Sequence, residues 1–484
     1  MIKSFTGNDK KYFLLCIVIC GLINFIFYVT TIENNWASDD FQYVFGTKLF
    51  NLINEQEFYL FQRNDDRFNL AYWFIVQFIP ENYLVWKMIV LLFYFASAVL
   101  VFIASQKLTK NSNISLLASI LFTLNYSISI KALSWGVFYG HILNIFLGLI
   151  GTLIFLKIIK KITTINVLLF FLINLLNHLI TEGAAIYLII NLVIIFFNKN
   201  IIEKKIKLIL INFSPIIIYF TLSLLNTGHI NKVFADRMME SKKNHYFEIF
   251  SNEKDTENFH YYRSTYAPRD LKGLSIRLFD NIIGALNLSA IENYLNFIDG
   301  DKKIKKAIKS NFYKIIFLLL IIFSIFLFYL YYLLKDKRIL KNYNFYLTLF
   351  FTTLIVYTFI YHRKDINLGL SFSSALILSK ILIDLHNIGK KNISRILLLL
   401  FITPTILYAS SGFMIYGQFN ASKNFEKFQD YKVLIKKIYK REELKKEPEL
   451  KFYYYYKNYP QYQNEFKNLN KNRLMPFLEE VHKM

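Results

Sequence analysis

Apolar runs of membrane-spanning length recur along almost the whole of this 484-residue chain. A helix needs about 20 mainly apolar residues to cross a hydrocarbon layer about 30 Å thick. The first such run, YFLLCIVICGLINFIFYVT, begins at Tyr12. Lipid offers no hydrogen-bond partner to backbone N–H and C=O groups, so each run has to satisfy them within itself, as a helix does. The sequence therefore predicts an all-α, polytopic integral membrane protein.

The spacing of these runs predicts about eleven membrane helices. Their expected ranges are 12–31, 83–106, 112–130, 134–156, 164–181, 183–198, 207–226, 312–334, 344–361, 366–386 and 395–417. A further apolar segment, 68–80, is too short to span and is predicted to lie at the membrane interface. The basic N-terminus, which precedes the first run without a small-residue cleavage site, is interpreted as an uncleaved signal anchor.

The formal net charge of +23 is carried largely by short connections between the apolar runs. Lysines and arginines recur in every second connection: 106–110, 157–161, 199–207, 335–341 and 389–395. This pattern follows the positive-inside rule and predicts a multi-pass protein of the cell inner (plasma) membrane with a cytoplasmic N-terminus. The segments 32–82 and 227–311 are then extracytoplasmic loops. Because no basic-aromatic binding module is visible, nucleic acid is not an expected partner.

The predicted organisation is one transmembrane domain, 1–417, followed by a basic, Tyr-rich tail, 418–484, with a short helical stripe. The side of the membrane on which the tail lies stays open, since long segments escape the charge rule. The two cysteines, Cys16 and Cys20, lie one helical turn apart in the first run, and no disulfide framework or zinc site can be built from them.

Two adjacent acids, Asp39 and Asp40, follow the first run closely in the stretch SDDFQYVFG. Solvated loop acids are the simplest interpretation. Their position near the membrane surface and their aromatic neighbours favour a catalytic one. Arg63 and Arg67 lie in the same loop, and the planar guanidinium fork matches phosphate oxygens. The alternative for these arginines is headgroup anchoring, or pairing with the acids at 65–66.

Four more polar residues are predicted to lie at the outer surface. Glu182 stands where two apolar runs meet, and an ionisable residue at the edge of a span is a candidate functional residue. His141 lies near the outer end of the fourth run. His362 and Arg363 belong to the short cluster YHRKDIN. The alternatives are an exposed turn for Glu182, a structural histidine for His141 and an ordinary charged turn for the cluster.

These patterns together resemble the C-type (GT-C) membrane glycosyltransferases, among them bacterial O-antigen glucosyltransferases and protein mannosyltransferase-like proteins. The similar features are the acid pair in SDDFQYVFG, the arginine in NDDRFNLAYWFIVQFIP, and the segments SWGVFYGHILNIFLGLIG and HLITEGAAIYLII. The resemblance covers about the first 230 residues. The sequence departs from many relatives in lacking a proline after Arg67.

The resemblance implies transfer of a sugar from a polyprenyl-phosphate-linked donor to a glycan, lipid or protein acceptor on the extracytoplasmic face. Asp40 or Asp39 would take the proton of the acceptor hydroxyl. Arg67, Arg63 or Arg363 would hold the donor phosphate, and Glu182, His141 and His362 would serve the acceptor or a second site. Direct displacement would invert the anomeric centre. These residues require no cofactor or metal, and they leave room for Mg²⁺ or Mn²⁺.

Two other functions compete with this interpretation. An O-antigen or polysaccharide polymerase would also be polytopic, with arginines such as Arg263, Arg269 and Arg277 in a large outer loop. A lipid or glycan transporter or flippase would need ionisable groups near the middle of the membrane and paired broken helices. Most charges in this sequence stand at the ends of the apolar runs, which disfavours the transporter.

Overall fold

The structure is a computed structural model. It describes residues 6–30, 83–125, 139–180, 182–198, 203–227, 337–360, 368–399 and 401–402, and single residues within 274–287. The described residues are helical apart from turns and short connections. The nine helices of twelve or more residues in the described part of the chain are α1 Gly7–Thr30, α2 Tyr83–Thr109, α3 Ser112–Thr123, α4 Tyr139–Lys160, α5 Thr164–Ile180, α6 Ala185–Phe197, α7 Lys205–Thr227, α8 Lys337–Ile360 and α9 Leu368–Asn387.

Five of these helices, α1, α2, α4, α7 and α9, are long and apolar enough to cross a membrane. Three shorter apolar helices, α3, α5 and α6, pack between them. In its described part the chain therefore has the all-helical build of an integral membrane protein. The count of eleven stays a prediction, because spans such as 312–334 lie outside the described residues.

The helices run alternately up and down, so the described bundle has two distinct ends. Tyr28 near the end of α1 meets Lys87 at the start of α2, whereas Phe13 near the start of α1 packs on Phe102. We call the end at which α1 finishes and α2 begins the upper end. The other contacts agree with this alternation, for example Phe155 of α4 on Phe170 of α5 near the lower end.

The basic connections of the sequence lie at the lower end of the bundle. Lys107 and Lys157 stand in the last turns of α2 and α4, and Lys205 begins α7. At the same end α9 finishes at Asn387, and Gly389 just after it has a φ of +83°, the left-handed conformation that glycine adopts after a helix C-terminus. The alternation of charge predicted from the sequence thus has a counterpart in the alternation of the helices.

Two short helices form the centre of the bundle. Both faces of α6 are buried, by α4 and α7 to α9, and α3 is enclosed by α1, α2 and α9. The outer helices instead expose apolar stripes of the kind that lipid tails cover. On α5 the stripe consists of Ile165, Leu168, Leu169, Leu172 and Leu176. The chain thus places the short helices α3 and α6 inside and the other helices around them.

A carboxylate at the lower end ties three helices together. Thr6 and Asp9 form a capping box at the start of α1, in which each backbone N–H donates to the other's side chain. The second oxygen of Asp9 accepts a hydrogen bond of 2.8 Å from Gln106 Nε2 of α2 and another from Ser112 Oγ of α3. The Asp9 carboxylate therefore caps α1 and also links α1 to α2 and α3.

A second carboxylate links α8 to α9 near the same end. Asp384 accepts a hydrogen bond of 2.8 Å from the hydroxyl of Tyr343 on α8. Its other oxygen accepts one from Lys380 Nζ, one turn earlier on α9, and the same ammonium lies 5.4 Å from the ring centroid of Tyr343. The carboxylate of Asp384 thus pairs with the ammonium of Lys380 and accepts the hydroxyl hydrogen of Tyr343.

Helix α3 ends inside the bundle, earlier than the predicted range 112–130. Its twelve residues rise only about 18 Å, so its last carbonyls lie within the thickness of a membrane and need partners. The hydroxyl of Tyr94 donates to the carbonyl of Thr123 at 2.6 Å and to that of Phe122 at 3.2 Å. Asn287 Nδ2 donates to Leu124 O at 3.4 Å and to Phe401 O at 2.7 Å.

Asn287 belongs to the long segment 227–311 that the sequence predicts as an outer loop. The described residues of this segment include helical ones, and Asn281, Ala285 and Asn287 are buried. Asn281 Nδ2 also donates to Thr358 Oγ1 of α8 at 3.3 Å. At least this part of the segment therefore enters the upper part of the bundle and completes the end of α3.

We expect Tyr94→Phe to lower the free energy of unfolding by about 1–3 kcal/mol, because it leaves the buried carbonyl of Thr123 without its donor. Thermal unfolding of the purified protein in nanodiscs measures the change. Tyr346→Phe is the matched control, because no hydrogen bond joins the Tyr346 hydroxyl to the described residues. Equal melting temperatures for the two variants would contradict this role of Tyr94.

Candidate functional site

Most of the residues predicted to carry chemistry lie outside the described residues. This holds for Asp39, Asp40, Arg63, Arg67, His362 and Arg363. The structure describes the helices that precede and follow the segments containing these residues. His141 is described in full, and Glu182 in its backbone. The site can therefore be built from the upper ends of the helices that lead into these segments.

The segment 32–82 connects the end of α1 to the start of α2, and both of these helix ends lie at the upper end. There the ammonium of Lys87 lies 5.5 Å from the ring centroid of Tyr28. The next residue back, Trp86, packs edge-on against Tyr139 at 5.7 Å between ring centroids. The start of α4 thus lies against the point where the acid-bearing segment rejoins the bundle.

Lys87 is a functional candidate that the sequence analysis did not single out. Only 2% of its surface is exposed, although it stands in a membrane-length apolar helix. An ionisable group buried there is costly and is a candidate functional residue by default. The signal was present in the sequence as a single lysine in the run LVWKMIV.

The structure places His141 in the first turn of α4, also at the upper end, where it is half-buried. Two residues earlier, Tyr139 is buried and packs on both Trp86 and Phe93 of α2. His141 therefore lies at the upper end of the bundle, and whether this end faces outward stays a prediction. Its role in an acceptor or second site stays a prediction.

Glu182 begins a 3-10 turn, Glu182–Ala184, that joins α5 to α6. This turn contacts α4, α5, α6 and α8 at the upper end. Just below it, Ile186 packs so closely on Gly369 of α9 that a β-carbon there would lie 2.3 Å from Ile186 Cγ2. The segment 361–367 therefore rejoins the bundle beside the turn that carries Glu182.

Five buried polar side chains lie within about 10 Å of these helix ends, and we call them the upper polar layer. They are Asn144 on α4, Asn174, Asn177 and His178 on α5, and Tyr187 on α6. At most 4% of any of them is exposed. Asn144 lies five residues after the start of α4 and Asn177 three before the end of α5, about 5 to 8 Å from those ends.

One face of α4 holds most of this layer together. Asn144 Nδ2 donates to Asn177 Oδ1 at 2.7 Å. One and two turns further along α4, Gly148 and Gly151 let Tyr187 and Asn174 approach. A β-carbon would lie 2.2 Å from the Tyr187 ring at Gly148, and 2.8 Å from Asn174 Nδ2 at Gly151. Close approach of this kind is the usual reason for small residues at contacts between membrane helices.

The remaining hydrogen bonds of the layer go to the backbone. His178 Nδ1 lies 2.7 Å from the carbonyl of Asn174, and Asn174 Nδ2 donates to the carbonyl of Phe170 at 2.8 Å. The His178 ring also lies 5.8 Å from that of Tyr219 on α7. Sequence reasoning missed this layer, although asparagines inside apolar runs were a visible signal for it.

Among the described residues, no group of three or more His, Cys, Asp or Glu side chains could hold a metal ion. No protein-family model matches the chain, and no curated protein matches it.

We expect Gly148→Ala to displace Tyr187 and to destabilise the protein by about 1–3 kcal/mol, because the added methyl group overlaps the tyrosine ring. Gly21→Ala is the matched control, since its β-carbon would meet Phe95 at an ordinary 3.7 Å. Thermal unfolding in nanodiscs compares the two. A Gly148→Ala protein as stable as Gly21→Ala would contradict this packing of α4 on α6.

Proposed function

We propose that this protein is a membrane glycosyltransferase with a GT-C-like fold of about eleven spans. It transfers a sugar from a polyprenyl-phosphate-linked donor to a glycan, lipid or protein acceptor. The lower end of the bundle faces the cytoplasm, because the basic connections lie there. The upper end faces outward, so the reaction takes place on the extracytoplasmic face of the inner (plasma) membrane.

One observation carries the proposal. The helix ends that flank the segments 32–82 and 361–367, together with the turn at Glu182, are all at the upper end of the bundle. A shared site for a lipid-borne donor needs the base, the phosphate-binding groups and the acceptor groups at one membrane surface. What supports the proposal is that three segments far apart in sequence start and finish at that surface.

The proposed chemistry is a direct displacement at the anomeric carbon. Asp40, or its neighbour Asp39, removes the proton of the acceptor hydroxyl as that oxygen bonds to the sugar. The bond to the lipid phosphate breaks on the opposite face, so the configuration inverts. Arg67 and Arg63, with Arg363 from the other segment, stabilise the negative charge that grows on the leaving phosphate.

Lys87 adds a cation at the point where the acid-bearing segment rejoins the bundle. A buried ammonium at the level of the lipid headgroups attracts an anionic headgroup more strongly than it would in water, because the local dielectric constant is lower. A polyprenyl phosphate is an anion that reaches this level from within the membrane. The charge of Lys87 thus suits the donor that the proposal requires.

We expect Asp40→Asn to reduce sugar transfer by about 10²–10⁴-fold, because the amide cannot accept the hydroxyl proton. The measurement is transfer from a panel of polyprenyl-phosphate sugars by the purified protein, with Asp39→Asn assayed beside it. Donor binding and thermal stability are measured in parallel to show that each variant is folded.

Glu203→Gln is the matched control for these variants. Glu203 is an exposed acid just before α7, at the lower end of the bundle, so its replacement leaves transfer unchanged. Full activity in both Asp39→Asn and Asp40→Asn would remove these acids from the mechanism. Absence of turnover with every donor tested would refute the proposed activity.

A transporter or flippase for a lipid or glycan is the second candidate, and two observations favour it. Helix α3 ends within the bundle, and the ionisable groups of Lys87 and His178 are buried. Interrupted helices and buried ionisable groups are typical of transporters. A flippase would move a fluorescent polyprenyl-phosphate sugar across proteoliposome membranes without an acceptor. Movement without any transfer would favour this candidate over the transferase.

A further inference from the structure

Each of the five side chains in the upper polar layer keeps one polar atom without a hydrogen bond. These atoms are Asn144 Oδ1, Asn174 Oδ1, Asn177 Nδ2, His178 Nε2 and the Tyr187 hydroxyl. Removing such a group from water without a partner is costly wherever it occurs. A cluster of five on three adjoining helices is therefore a site that calls for a polar ligand.

The orientation of two of these residues is fixed by backbone carbonyls, which only accept hydrogen bonds. The carbonyl of Asn174 accepts from His178 Nδ1, so that nitrogen carries a hydrogen and Nε2 of the neutral ring is left as an acceptor. The carbonyl of Phe170 accepts from the amide nitrogen of Asn174, which leaves Asn174 Oδ1 as an acceptor. His178 Nε2 and Asn174 Oδ1 are therefore both hydrogen-bond acceptors that have no donor.

The Asn144–Asn177 pair gives the same result whichever way its amides are turned. As described, Asn144 donates and Asn177 accepts, which leaves one oxygen and one NH₂ group over. If both amides are reversed, the pair again leaves one acceptor and one donor. The layer therefore offers three acceptors, one amide donor and the hydroxyl of Tyr187, which can do either.

This set of atoms selects the chemistry of the ligand. Three acceptors need a partner with several hydrogens to donate; a lipid phosphate dianion has none, and inorganic hydrogenphosphate has one. None of the five side chains carries a negative charge to balance a cation. A hydroxyl group both donates and accepts, and it is neutral, so it matches the mixture of acceptors and donors.

We propose that the upper polar layer is a binding site for hydroxyl groups, supplied either by a sugar or by internal water molecules. The site stands on its own geometry, and only its sugar source rests on the proposed glycosyltransferase function. In that function the layer lies below the Glu182 turn and binds the sugar hydroxyls, and the arginines bind the phosphate.

The contrasting view is that the layer only joins helices. Interhelical asparagine pairs stabilise membrane bundles in this way, and replacing both partners of such a pair with apolar residues of similar shape is nearly neutral. The two views differ in what surrounds Tyr187. If the layer only joins helices, no hydroxyl-bearing molecule contacts this residue.

X-ray radiolytic footprinting of the full chain in nanodiscs separates these views. Radiolysis of bound water produces hydroxyl radicals in place, so a buried side chain that contacts water is oxidised even when bulk solvent cannot reach it. We expect Tyr187 to be oxidised several-fold faster than Tyr94. Tyr94 is the matched reference, because it is equally buried and its hydroxyl is fully engaged by two carbonyls. Equal protection of the two tyrosines would overturn the proposal.

Added lipids identify the source of the hydroxyl groups. If a sugar occupies the layer, a polyprenyl-phosphate hexose lowers the oxidation of Tyr187 and bare polyprenyl phosphate does not. If the hydroxyls come from water alone, both lipids leave the rate unchanged, and the site stands as a water-binding one. Failure of sugar transfer would remove the proposed function and leave the difference between Tyr187 and Tyr94 in place.

A double variant tests the amide pair itself. Asn144→Leu with Asn177→Leu should reduce the oxidation of Tyr187 several-fold towards that of Tyr94, because the layer loses an acceptor and a donor. Thr353→Val with Ser373→Ala is the matched control, since it removes a buried polar pair between α8 and α9 that is joined at 2.7 Å. An unchanged rate at Tyr187 in the first double variant would refute a role of the pair in holding the ligand.

Discussion

Hydrogen bonding inside an apolar bundle governs this structure, because lipid supplies no partner to a polar group that the protein leaves unpaired. The constraint is visible where α3 stops short. A helix that ends within the membrane exposes its last carbonyls, and here Tyr94 and Asn287 cover them. Tyr94 comes from the neighbouring helix, and Asn287 from a segment that is remote in sequence. The end of this short helix therefore depends on hydrogen bonds from both residues.

The two ends of the bundle meet this constraint differently. At the lower end, the carboxylate of Asp9 holds three helices and that of Asp384 joins two, and their oxygens are occupied by donors from neighbouring side chains. Below the upper end, the polar layer leaves atoms of Asn174, Asn177 and His178 without partners. The two carboxylates fix the packing of the helices at the lower end. The unpaired atoms of the upper polar layer are the basis of the ligand site that we propose.

Much of the helical framework follows from the sequence, because apolar run length and loop charge are local properties. The expected ranges 164–181 and 183–198 agree closely with α5 and α6, and the basic connections fall at one end of the bundle. Helix α3 stops at Thr123, seven residues before the end of the predicted range 112–130, whose last five residues lie outside the described part of the chain. No local signal marks that end, since the partners that allow it come from elsewhere in the chain.

Part of the candidate site could likewise be predicted from the sequence, and part could not. The sequence identifies individual chemical groups, such as the acids at 39–40 and the histidine at 141, since residue type and position suffice for that. It does not bring Asn144 to Asn177, or Gly148 to Tyr187, because these contacts depend on how helices pack. A glycine such as Gly148 indicates a close helix contact only when the large side chain that faces it, here Tyr187, is known. Contacts of this kind, where small residues on one helix let polar residues of the next approach, therefore have to be read from the packed structure.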